Sequence, residues 1–65
     1  MDYNTVIFTI RQSGHGIYRI ITNNINFRKM NTACITDIDT LYETMEEIST
    51  TINNKHNMAV LFEVE

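Results

Sequence analysis

Proline and tryptophan are absent from this chain, and cysteine occurs once, at Cys34. A lone thiol excludes an internal disulfide. The two histidines, His15 and His56, stand far apart, and no CxxC or HxxxH spacing occurs. A structural zinc site is therefore not expected. No apolar run approaches the ~20 residues of a membrane span, and Met1-Asp2-Tyr3-Asn4 has neither the basic nor the apolar stretch of a secretory signal. With one thiol and no export signal, a cytoplasmic location is expected, the host's cytoplasm if the protein is viral. Cations are scarce as well. Five Lys plus Arg stand against eight Asp plus Glu, for a net charge of −3 and a pI near 5.2. A domain that lives on duplex phosphate is usually basic, because each phosphate contact wants its own cation.

What is present describes a small globular object. Apolar residues make up 43% of the 65 and charged residues 20%, too apolar for a disordered chain. One domain, residues 1–65, is expected. A chain of this length buries only about 60% of the surface its unfolded form exposes. Such chains usually rely on a disulfide, a metal, or a second chain. With the first two set aside, self-association or partner binding is what remains. Asn, Ile and Thr are abundant; the A/T-rich codons of Ile, Asn, Lys and Met suit the A/T-rich genomes that often carry small viral or plasmid-borne genes.

Tyr3 to Gln12 alternates, with Val6, Phe8 and Ile10 on one side and Thr5, Ile7, Thr9 and Arg11 on the other, which predicts a strand. Gly14 and Gly16 flank His15 and supply the backbone freedom of a hairpin turn. Ile17 to Thr22 is the returning strand. A third strand is expected within residues 25–36, ending at Ile35, from the β-branched, apolar run Thr32 to Thr36. Ile38, Leu41, Tyr42, Met45, Ile48 and Ile52 recur at steps of three and four and predict one helix. Thr36, Asp37 and Asp39 cap its start, and Asn53-Asn54-Lys55 closes it. Met58 to Val64 reads as the last strand. The expected fold is α+β, in the order βββαβ, with one helix on one face of a three- to four-stranded mixed sheet.

That architecture leaves a surface uncovered. A helix is ~10 Å wide, whereas four strands at ~4.8 Å spacing make a sheet nearly twice as broad. If Val6, Phe8 and Ile10 meet the helix, Ile7 and Leu61 face outward, joined by Ile17 with Ile21 or by Tyr18 with Ile20. A contiguous apolar patch of this kind marks an interaction surface. A homodimer through the outer sheet face or a sheet edge, or docking onto another protein, is expected; the competing arrangement folds a long N-terminal or 25–31 loop over the patch.

No catalytic constellation is present, and neither an enzyme nor a cofactor is expected. His15 and His56 sit in turns, and Cys34 reads as a small core residue with nothing beside it to hold a thiolate. Gly14-His15-Gly16 joins two strands instead of opening a helix, so it is no phosphate loop. Glu43, Glu46 and Glu47 form an acidic helix face, with Asp39 before them and Glu63 and Glu65 in the tail. That charge suits a basic protein partner. Arg11, Arg19, Arg28 and Lys29 belong to the strand half, and Tyr3, Tyr18 and Phe27 are aromatics that would stack bases. Single-stranded nucleic-acid binding is the alternative.

The stretch Cys34-Ile35-Thr36-Asp37-Ile38-Asp39-Thr40-Leu41-Tyr42-Glu43, running on to Ile48, resembles the HicB-type antitoxins, where a Cys-Val-Thr-like strand end precedes a Gly-Asp-Thr-Leu-Glu-Glu-Ala-like helix start. The likeness spans about half the chain. It implies a partial RNase H-like fold of three strands, a helix and a strand, and action by binding a small toxin and dimerising. It implies no catalytic residue. Asn26 to Asn31 replaces the Pro- and Gly-bearing turn usual in the family, and without a C-terminal DNA-binding segment operator binding is not expected. The protein is thus expected to bind and inhibit or regulate another protein, as an antitoxin-like or a viral or phage-encoded inhibitor.

Overall fold

In the computed structural model, which describes residues 4–65, the chain forms three strands and one long helix. β1 (Thr5–Gln12) and β2 (Tyr18–Ile21) make the hairpin, α1 (Ile38–His56) crosses over, and β3 (Ala59–Val64) returns parallel to β1. The sheet order is β2-β1-β3, which places β1 in the centre. Tyr3, expected at the start of β1, lies outside the described residues.

The hairpin loop spans the residues between Gln12 and Tyr18, which face each other in the ladder. Ser13 N–H donates to the Ile17 carbonyl at 2.8 Å. Gly14 (φ 87°) and Gly16 (φ 66°) both take positive φ, the region that costs a side-chain-bearing residue about 1–2 kcal/mol.

The third strand is the part that departs most from expectation. Residues 25–30 curl into turns and a short 3-10 helix, Arg28–Met30, and only Ile35 makes a true bridge, exchanging both backbone bonds with Tyr18 at 2.7 and 2.8 Å. The physical reason is a slip. Thr32 N–H donates to the Ile20 carbonyl, so three steps from Ile35 to Thr32 oppose two steps from Tyr18 to Ile20. One residue too many lies on the outer segment, as in a bulge. The Thr32 hydroxyl then accepts the Ile20 N–H at 2.9 Å, where a strand would have offered a backbone carbonyl. Cys34 falls in this bulged stretch and is exposed, against its expected place in the core.

Asp37 caps α1, its Oδ2 accepting from the Thr40 N–H and the Thr40 hydroxyl at 3.0 Å each. The helix runs on past Asn53-Asn54-Lys55 to His56 and ends at Asn57, whose φ of 54° is the left-handed terminator. Its inner stripe is narrower than the periodicity suggested. Leu41, Ile48 and Ile52 are buried and Met45 partly so, whereas Ile38 and Tyr42 are exposed. Those two sit toward one flank, turned away from the line through Leu41, Ile48 and Ile52.

The core lies between α1 and one face of the sheet. Val6, Phe8, Ile10 and Ile20 meet Leu41, Ile48 and Ile52, with Phe27 and Ile35 contributed by the connection. Phe8 and Phe62 pack with ring centroids 5.8 Å apart. Every described buried polar side-chain atom has a hydrogen-bond partner.

Candidate functional site

The pairing registers assign every residue of the outer sheet face. Thr5 faces Ala59, Ile7 faces Leu61, Thr9 lies between Ile21 and Glu63, and Arg11 faces Arg19. Ile7 is 47% exposed and Leu61 48%, adjacent to each other and covered by no layer of the described chain. Ile21, at the other margin, is half-buried. Phe27 decides against the 25–31 loop as a cover, because its ring is buried in the helix-side core. The face is thus apolar at mid-sheet and charged at the hairpin end, where Arg11 Nε meets Glu65 at 2.9 Å. Both partners of that pair are half-exposed, and surface pairs of this kind contribute roughly 0–1 kcal/mol.

The second surface is the outward side of α1. Glu43, Glu46 and Glu47, with Thr50 and Thr51, line a shallow, open depression along the helix. Glu43 stands three residues before Glu46 and four before Glu47, and Asp39 stands four before Glu43. Like charges at these steps each cost about 0.2–0.5 kcal/mol. No lysine or arginine occurs between Asp39 and Glu47 to offset them. The ridge therefore presents concentrated negative charge that a cationic partner would relieve.

The cations divide differently. Arg11 and Arg19 are direct cross-strand neighbours at the hairpin end. Arg28 and Lys29 occupy the 3-10 turn beside Phe27, whose ring meets His56 at the opposite end of the sheet. The separation is about the length of the eight-residue β1, roughly 25 Å at 3.3 Å per residue. The aromatics do not form a platform with them. Phe27 is buried and Tyr18 packs half-buried against the core, while Tyr3 lies outside the described residues.

Two features escaped the sequence reading. Val64, at the end of the inner row of β3, is 80% exposed, and β3 itself forms a sheet edge. Alternation places Val64 on the inner face but says nothing of which strand is outermost.

Among the described residues, no three His, Cys, Asp or Glu side chains converge as a metal site, and no helix is long and apolar enough to cross a membrane. No family model, curated protein or solved structure matches the chain.

Proposed function

We propose that this chain is a non-catalytic interaction protein that binds another protein and inhibits or regulates it, in the manner of an antitoxin or a viral or phage-encoded inhibitor, and that it acts as a dimer in the cytoplasm. The observation that carries the reading is the Ile7–Leu61 pair: two large apolar side chains side by side on a sheet face that no layer of the described residues covers. Burying such side chains contributes about 1.5–3 kcal/mol each, which a domain this small gains only from a second chain. The acidic ridge of Glu43, Glu46 and Glu47 adds charge selectivity toward a basic surface. The HicB-like stretch from Cys34 to Ile48 supports the same style of action.

The test is capture from an extract of cells in which the chain is made, using the intact protein, an Ile7→Asp/Leu61→Asp variant, and a Glu43→Lys/Glu46→Lys/Glu47→Lys variant. The intact chain is expected to retain one protein stoichiometrically, and each variant to lose most of it. Equal retention by all three removes both surfaces from the account.

One observation favours a second reading, single-stranded nucleic-acid binding: Arg11 and Arg19 are direct cross-strand partners on the sheet. Phosphate-driven binding falls steeply as salt rises. A titration against short oligonucleotides separates the readings, and an absence of binding at low salt ends this one.

A further inference from the structure

β3 is an open edge of defined polarity. Ala59 N–H donates to the Asn4 carbonyl at 2.6 Å and Glu65 N–H to the Ile10 carbonyl at 3.1 Å. In a parallel ladder a residue bonding its neighbour turns both its N–H and its C=O to that side, and the next residue turns both away. The odd-numbered residues of β3 therefore serve β1, while Val60, Phe62 and Val64 present their N–H and C=O groups outward. Edge strands that remain single are usually blunted by proline, by charged side chains (lysine above all), by a bulge, or by a covering segment. The chain has no proline, β3 carries a single charge, Glu63, and no cation, and its register with β1 runs unbroken from Ala59 to Val64. Among the described residues no other element pairs with this edge.

We propose that two copies of the chain join β3 to β3, antiparallel, about a two-fold axis at Leu61, forming one continuous sheet. The proposal rests on the reading of the protein as a dimeric binder and supplies its geometry. The outward groups of Val60, Phe62 and Val64 restrict the pairing to registers that oppose even-numbered residues, and charge then selects among them. Centring on Glu63 sets two carboxylates directly opposite each other, an unfavourable pair. Centring on Phe62 sets Glu63 against the mate's Leu61. Centring on Leu61 sets Val60 against the mate's Phe62, Val64 against the mate's Met58, and Glu63 against the small Ala59. Of the three, only this register sets Leu61 against the mate's Leu61 and keeps each Glu63 opposite neither a large apolar side chain nor another carboxylate, while the exposed Val64 meets the mate's Met58.

It also has a consequence for the outer face. Because Ile7 and Leu61 are ladder partners, the dimer carries an unbroken apolar row: Ile7, Leu61, the mate's Leu61 and the mate's Ile7. Pairing through the edge therefore leaves the binding strip exposed and doubles its length.

The experiment uses the full chain in a Cys34→Ser background, which removes the one native thiol. Sedimentation should give a dimer. Leu61→Cys should oxidise to a covalent dimer in near-complete yield, since non-hydrogen-bonded antiparallel neighbours stand ~4.5 Å apart at Cα, within disulfide range. Glu63→Cys should not, because each Glu63 is displaced from its mate by about four residues, on the order of 13 Å. Leu61→Lys should sediment as a folded monomer and Leu61→Glu likewise, and mixing the two should restore a heterodimer. A folded wild-type monomer at millimolar concentration, or a dimer whose Leu61→Cys form stays uncrosslinked, overturns the proposal. A wild-type monomer that still captures a protein partner overturns the pairing alone; a crosslinked dimer that captures none overturns the binder reading alone.

Discussion

Phe27 meets His56 edge to face, with ring centroids 5.0 Å apart and ring planes at 88°. This contact ties the turn after β2 to the last turn of α1 and draws residues 25–31 to the helix side of the sheet. The 25–31 loop therefore leaves the outer face uncovered, and its anchoring can be tested directly.

Phe27→Ala should remove most of the protein's stability. Truncating a buried phenylalanine costs about 3–5 kcal/mol, against a total of roughly 3–10 kcal/mol for a domain of this length. Phe27→Leu, which keeps most of the volume, should cost less than about 2 kcal/mol. Urea midpoints for the two variants check the order; an unchanged midpoint for Phe27→Ala would falsify the anchoring role.

Among the described residues, Thr22 is the one buried polar residue. Its hydroxyl donates to the Ile7 carbonyl at 2.8 Å and accepts the Asn24 N–H at 3.1 Å. It thus continues the β1–β2 ladder past the end of β2. Thr22→Val should cost about 1–3 kcal/mol, because it strands a part-buried carbonyl. Thr22→Ser keeps the hydroxyl and should lose less, about 1 kcal/mol for the methyl. Equal losses for the two would mean the hydrogen bonds carry no weight.

The helix start depends on Asp37. Asp37→Ala should destabilise by about 1 kcal/mol, and Asp37→Asn should retain most of the cap, since asparagine accepts the Thr40 N–H equally well. Thermal unfolding followed by helical circular dichroism distinguishes them, and a neutral alanine variant would dismiss the cap.

At the other end, Asn57 holds the left-handed conformation that stops α1. Asn57→Gly should be neutral to stabilising by up to about 1 kcal/mol, while Asn57→Ala should cost about 1 kcal/mol. Alanine matching glycine in a denaturant titration would show that the φ value is not the determinant.

The elements whose patterns are local were legible in the sequence. The alternation through Val6, Phe8 and Ile10 and the glycines at 14 and 16 specify the hairpin; Leu41, Ile48 and Ile52 specify the helix. The outward placement of Ile7 and Leu61 follows from period two alone. The stripe overreached at Ile38 and Tyr42, because spacing describes a helix face but not how much of it a narrow sheet covers. Cys34 was misplaced for a related reason: the slip between Thr32 and Ile35 depends on which groups of β2 remain to be satisfied.

The sequence by itself therefore determined the kinds of element, their order, and which side chains alternate inward or outward, since those follow from backbone periodicity within one segment. Only the tertiary structure decided that β3 is an edge, that the 25–31 turn joins the helix side, and that a hydroxyl replaces a carbonyl beside Ile20. Each of these depends on hydrogen bonds and packing between segments far apart in the chain, and local pattern holds no record of which distant neighbour a backbone group will find.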